Sequence, residues 1–232
     1  MKKLSIILVM AVMTAVALFS CKDESGEFVE QLYTNAQKET AIKECLKTSA
    51  DSAINHLCTE GGFSNYNNGL YRIDYSPLQN NMFDSLSHYG WGALATDSLI
   101  RLTNRMAENC GAQIRPAFVA AIDSLKITDF DALINGGAGA ITHYLELYKY
   151  NNLKSAIKTP VSIRMDVYGV TDLWNSIWQL YVSNCSIPVN FDIQNYVVEK
   201  MLDGLLREMR VEEELIRTDS THRSEKTALL GE

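Results

Sequence analysis

Over residues 28–57 apolar side chains recur at Leu32, Ala36, Ile42, Leu46, Ala50, Ala53, Ile54 and Leu57. Steps of three and four mark an amphipathic helix, and Gly61-Gly62 stops it. Residues 62–75 lose the period and read as an irregular loop of aromatic and polar side chains. A helix is expected over 77–88, a break at Tyr89-Gly90-Trp91-Gly92, then a helix carrying Ala95, Leu99, Leu102, Met106 and Cys110 up to Gly111. Pro116 either kinks it or opens the next, which continues through Ala117, Ala121 and Leu125. Thr128-Asp129 suit the N-cap of a short helix to about Asn135. Gly136-Gly137-Ala138-Gly139 separates it from a helix through Tyr148. Three more helices follow, over 152–168 with Pro160 inside or near its start, over 172–184, and over 192–217, before a short segment 220–230. Strand alternation, repeats and low-complexity tracts find no support. The expected fold class is all-α, an irregular multi-helix bundle with a long C-terminal helix.

The N-terminus follows a different pattern. Met1-Lys2-Lys3 is positive, and residues 4–19 are apolar except for Ser5 and Thr14. That core is too short for a comfortable membrane span of ~20 residues and reads as a signal peptide. Leu18-Phe19-Ser20-Cys21 resembles a bacterial lipobox, with Phe19 bulkier than usual, and Cys21 as the lipidated residue. The alternative is an ordinary secretory signal with a chance cysteine. Acyl chains contribute ~0.8 kcal/mol per buried CH₂, so several of them hold a protein on a membrane. Lys22-Asp23-Glu24 resembles the export signal that carries some Gram-negative lipoproteins to the outer face of the outer membrane, or is a generic polar tether. The expected layout is a lipoprotein signal peptide over 1–20, a lipidated polar tether over 21–27 and a single helical domain over 28–232. The expected location is the outer membrane, on either its periplasmic or its surface-exposed face.

Composition narrows the partners. The chain holds 21 basic and 28 acidic residues, a net charge of −7, and 47% hydrophobic residues. The hydrophobic share argues for a packed core, and the acidic balance argues against nucleic acid. Beyond Cys21 the cysteines are Cys45, Cys58, Cys110 and Cys185. Cys45 and Cys58 sit on one helix, about 20 Å apart at 1.5 Å per residue, too far to bridge each other. Any disulfide must join different helices, and buried free thiols are the alternative. No Cys-x-x-Cys pair is present, which removes the common zinc and thioredoxin-like readings.

The second half carries a recognisable order of features. Leu133-Ile134-Asn135-Gly136-Gly137 and Ala140-Ile141-Thr142-His143-Tyr144-Leu145 are followed by Thr159-Pro160-Val161 and Val170-Thr171-Asp172-Leu173-Trp174. Then come Tyr196-Val197-Val198-Glu199-Lys200-Met201-Leu202-Asp203-Gly204-Leu205, Glu212-Glu213-Glu214-Leu215-Ile216-Arg217-Thr218-Asp219, Arg223 and Leu229-Leu230. This resembles a bacterial family of exported helical proteins, domain of unknown function 4197, from about residue 40 to 230. His143 stands where a Gln is expected and Ser220 where a Pro is expected. The resemblance implies the fold and an exported compartment and leaves function open.

On a 100° wheel centred on Val198, Met201, Leu202, Leu205, Met209 and Ile216 fall within about 60°. Glu212 and Glu213 edge that stripe, about 40° and about 60° off its centre. Carboxylates at core positions are costly unless paired. They read either as a buried acid or ligand site, or as an internal ion pair with an arginine such as Arg115 or Arg164. Glu199–Asp203–Arg207 and Glu213–Arg217 also have the i,i+4 spacing of solvated pairs. Gly136–Gly139 before a helix offers backbone N–H groups to an anion but lacks a P-loop's Gly-Lys-Ser/Thr ending. Trp174, Trp178 and Tyr181 share a helical face, as core or as groove lining. Tyr66, Tyr71 and Tyr75 in the aromatic loop are the candidate contact surface. His56, His88, His143 and His222 show no metal-ligand spacing, and neither H-E-x-x-H nor G-x-S-x-G occurs. No catalytic residue, metal or cofactor is assigned. The expected function is a lipid-anchored envelope protein that binds or scaffolds an envelope protein, a glycan or a small ligand. The alternatives are an enzyme or ligand site around Glu212 and Glu213, or a carrier of a hydrophobic ligand.

Overall fold

α1 (Asn35–Leu57) buries Ile42, Leu46, Ala50, Ala53, Ile54 and Leu57, the stripe its spacing implies, and adds Ala41, Cys45 and Ser49. This computed structural model describes residues 33–78, 82–88, 92–185 and 190–231. The chain divides into two units, Met1–Thr34 and Asn35–Glu232, and every helix named below belongs to the second. The signal peptide, Cys21, Lys22-Asp23-Glu24 and the break at Tyr89–Trp91 lie outside the described residues.

After α1 come α2 (Gly62–Gly69), the short turns α3 (Ser76–Leu78) and α4 (Asp84–Ser87), and α5 (Gly92–Glu108). Then follow α6 (Gly111–Asp123), α7 (Phe130–Ile134), α8 (Ala140–Val167), α9 (Val170–Asn184) and α10 (Ile193–Thr218). Two 3₁₀ segments, Ser220–His222 and Glu225–Gly231, close the chain. No strand occurs among the described residues, so the fold is all-α.

α10 packs against both α1 and α8, and α6 joins α1 to α8, giving a four-helix core. Along α10, Val197, Val198, Met201, Leu202, Leu205, Met209 and Ile216 are buried. Each such side chain contributes ~1.5–3 kcal/mol on leaving water, so this stripe is the main apolar seam of the bundle. Two side-chain caps set helix starts. Asp129 accepts from the Ala132 N–H at α7, and Asp192 accepts from the Asn195 N–H at α10. The last 3₁₀ segment returns against α1 and α10 with Leu229 and Leu230 buried.

Four details differ from the sequence pattern. Gly111 opens a helix rather than ending one: α5 stops at Glu108 and α6 starts at Gly111, so Pro116 lies inside α6 and neither kinks α5 nor opens the next helix. The helices expected to end at Tyr148 and begin at Asn152 are one element, α8, because Lys149-Tyr150-Asn151 contains no breaker. Pro160 lies inside α8, and Ile157, Val161 and Met165 stay buried on one side across it. Its missing N–H removes one helical bond, and α8 continues to Val167 beyond it. The expected loop 62–75 begins as α2, kinks where Asn67 and Asn68 adopt left-handed φ values of 48° and 58°, and ends as an extended strap.

Candidate functional site

Glu213 is fully buried, yet its carboxylate is saturated. It accepts from the Ile141 N–H at 3.0 Å and the Thr142 N–H at 2.8 Å, in the first turn of α8. Arg217 donates to it through both Nε and Nη2, each at 3.1 Å. The same guanidinium donates to the Leu133 and Ile134 carbonyls at the end of α7, at 2.8 Å each. One buried acid of α10 thereby caps α8, where its charge meets the positive end of the helix dipole. Its arginine caps α7. The N–H groups that meet an anion here are those of Ile141 and Thr142 in α8, not those of the Gly136–Gly139 turn, and the anion is Glu213. The pair is no solvated i,i+4 bridge: burial leaves each charge dependent on its partner.

Glu212 accepts from His222 Nδ1 at 3.0 Å, drawing the first 3₁₀ segment onto α10. Arg115 and Arg164 serve neither acid. Arg115 instead pairs with Asp51 and donates to Asn55 Oδ1 at 2.9 Å. The two acids and Arg217 thus hold turns in place, and neither groove described below reaches them.

A third α10 carboxylate, Glu208, went unseen in the sequence. It is 2% exposed and accepts from His56 Nδ1 at 2.8 Å, Tyr66 Oη at 3.0 Å, and Tyr71 Oη. It lies about 80° from Val198 on the helical wheel, just outside the stripe. Two of the three tyrosines expected to form a contact surface are therefore core residues. Tyr71 is 5% exposed and Tyr75 is fully buried, with only Tyr66 substantially exposed at 38%. Burial, then the hydrogen bond to Glu208, pushes the Tyr71 hydroxyl well up. Asn104 of α5 grips Ile73 on both backbone groups at 2.8 Å, and Tyr75 Oη meets Thr103 Oγ1 at 2.6 Å. Held extended, the strap alternates Tyr71, Ile73 and Tyr75 inward with Arg72 and Asp74 outward. That period of two is visible in Tyr-Arg-Ile-Asp-Tyr and is the signal that separates a half-buried strap from an exposed loop.

The strap turns Arg72 toward a groove between α2 and α5. One part, of about 440 Å³, is lined by Glu60, Ser64, Asn65, Arg101, Arg105 and Glu108, among others. The other, of about 400 Å³, shares Ser64, Asn65 and Arg101 and adds Arg72 and Asp97. Glu108 is buried and accepts from Ser64 N–H at 2.9 Å and from Ser64 Oγ at 2.6 Å, which pins α2 to α5. The guanidinium groups of Arg72, Arg101 and Arg105, the Asn65 amide and the carboxylates of Glu60 and Asp97 have no partner among the described residues. The groove is therefore polar, open and carries three uncommitted guanidinium groups.

The other candidates are structural. Trp174 and Tyr181 are buried, so their face is core. Glu199 bonds to Lys154 at 2.5 Å and Asp203 to Tyr150 at 2.8 Å, tying α10 to α8. Cys45, Cys58, Cys110 and Cys185 are free thiols, and burial pushes the first three to about 12. A Ser-x-x-Lys spacing does occur, Ser155–Lys158, but both residues lie exposed on α8 with no bond between them. Among the described residues no group of three or more His, Cys, Asp or Glu could hold a metal ion, and no helix is long and apolar enough to cross a membrane.

Set beside known proteins, residues 32–231 match the family model described as Protein of unknown function (DUF4197). No curated protein and no solved structure matches.

Proposed function

The chain belongs to the DUF4197 family of proteins of unknown function, and we propose that it is a lipid-anchored cell-envelope protein that works by binding rather than by catalysis. In this reading residues 1–20 are a signal peptide, Cys21 carries the lipid, residues 21–27 are a tether, and the helical domain follows. The lipobox-like Leu18-Phe19-Ser20-Cys21 supports the anchor, and Lys22-Asp23-Glu24 supports the outer membrane. The domain then meets its partner, an envelope protein, a glycan or a small ligand, at either face of that membrane.

The observation that carries the binding reading is the α2–α5 groove. Its arginines are uncommitted, whereas the acids that invited a catalytic reading are bonded into the frame. Glu213 is bonded to two backbone N–H groups and to Arg217, and Glu212 to His222, which weakens the enzyme or metal alternative at that place. A hydrophobic-ligand carrier has equally little support, since the groove is lined mainly by charged and amide side chains.

The test is retention. Full-length protein purified in detergent is equilibrated with the small-molecule fraction of a Gram-negative envelope, washed and analysed by mass spectrometry. The expected result is a molecule retained by the wild type, lost from Arg101→Ala/Arg105→Ala, and recovered chemically unchanged. Recovery of an altered molecule would show catalysis, and equal retention by the variant would remove the groove from the reading.

A further inference from the structure

We propose that the α2–α5 groove binds an acidic sugar, a small molecule carrying a carboxylate or phosphate together with several hydroxyls. The inference rests on the binding reading above and names the ligand of that site. It starts from the arginines. Arg101 stands four residues from Asp97, and Arg105 three from Glu108, spacings at which helical side chains normally pair. Neither pair closes: Glu108 is turned to Ser64, and Asp97 and Arg101 each stand without a partner among the described residues. Arg101 is common to both halves of the groove, with Arg105 beside it in one and Arg72 in the other. A guanidinium presents a planar fork of donors that matches an oxyanion bidentately.

The same groove holds acceptors that an anion alone cannot satisfy. Glu60 lines the half with Arg105 and Asp97 the half with Arg72, each without a hydrogen-bond donor facing it. A plain oxyanion would meet these carboxylates as like charges. A neutral sugar would leave the guanidinium groups unmatched. Hydroxyls donating to Glu60, Asp97 and the Asn65 carbonyl, with an oxyanion held by Arg101 and by Arg105 or Arg72 beside it, match both kinds of group in the lining. Each half exceeds the ~300 Å³ that marks the lower end of small-molecule sites. Charged and amide side chains dominate the lining, and Ile100 adds an apolar face in the second half, so the recognition is mainly through hydrogen bonds.

The experiment is calorimetric titration of the full-length protein in detergent micelles at low salt, with glucuronate, glucose 6-phosphate, glucose and glutamate. The expected result is saturable binding of glucuronate or glucose 6-phosphate, and the tighter of the two fixes whether the oxyanion is a carboxylate or a phosphate. Arg101→Ala should weaken that binding about tenfold or more, the scale of a lost charge-assisted fork. Its thermal midpoint should match the wild type, since Arg101 bonds to no other described side chain. Glucose binding as tightly as the acidic sugars, glutamate binding as tightly, or an unaffected Arg101→Ala would each overturn the assignment. If no acidic sugar binds while the envelope fraction still yields an Arg101-dependent ligand, the ligand class falls and the binding reading stands. If both experiments are blank, the binding reading falls as well.

Discussion

Glu213 shows what a single acid does in this frame. It answers two backbone N–H groups and one guanidinium, the N–H groups lying more than 70 residues away in sequence. Glu213→Ala would leave Arg217 charged and buried and two N–H groups unmet, and should destabilise by about 3–5 kcal/mol. Urea denaturation measures it, and a loss below about 1 kcal/mol would show that the pair is dispensable. Asp219 gives a pH-dependent counterpart. Its bonds from the Thr221 N–H and hydroxyl hold its carboxyl below the ordinary 3.8. The ionised form is the one the fold favours, so its contribution is present above about pH 4 and is lost as pH falls through the folded value. The stability gap between wild type and Asp219→Ala should therefore be constant near neutrality and shrink below pH 3.8. The sequence showed Glu212 and Glu213 to be misplaced for solvent, because helical period alone puts them on the stripe. It did not show their partners. His222 and the start of α8 reach them only through tertiary packing, and Arg164 and Arg115, the arginines suggested, face elsewhere.

Helix boundaries were legible at Gly61, Asp129, Gly139 and Asp192, where the chain supplies a stop or a cap, but not at Gly111, which opens α6 instead of ending α5. They were illegible where regular periodicity gave way to tertiary strapping. Residues 72–75 run as a non-helical strap, and Asn104 substitutes there for a neighbouring strand, bonding both backbone groups of Ile73. No local signal announces that donor and acceptor 31 residues away. Close approach of elements adds a further constraint. Gly204 in α10 faces Phe63, whose ring would stand 3.2 Å from an added Cβ. Alanine gains helix propensity there at the expense of that squeeze. Gly204→Val adds two more carbons against Phe63, Tyr71 and Leu57 and should cost about 1–3 kcal/mol, as overpacking does. Thermal unfolding read beside Gly204→Ala separates the effect of bulk from that of losing glycine.

At the scale of the molecule, the all-α bundle follows from apolar periodicity, scarce proline and the absence of alternation, and the family that the second half resembles is the one matched over residues 32–231. The groove was not legible, because Arg72, Arg101 and Arg105 come from two segments that meet only once the strap is folded onto α5. The proposed anchor is tested by mass spectrometry of the membrane-bound protein: an acylated Cys21 at the mature N-terminus is expected, and an unmodified thiol there would contradict lipidation as the tether. The central claim is that the functional face is the arginine groove and that the α10 acids belong to the frame. Hydrogen–deuterium exchange with and without the envelope small-molecule fraction tests it most directly. The expected result is slowed exchange confined to residues 61–66 and 99–109, with 208–213 unchanged; protection centred on 208–213 would contradict it.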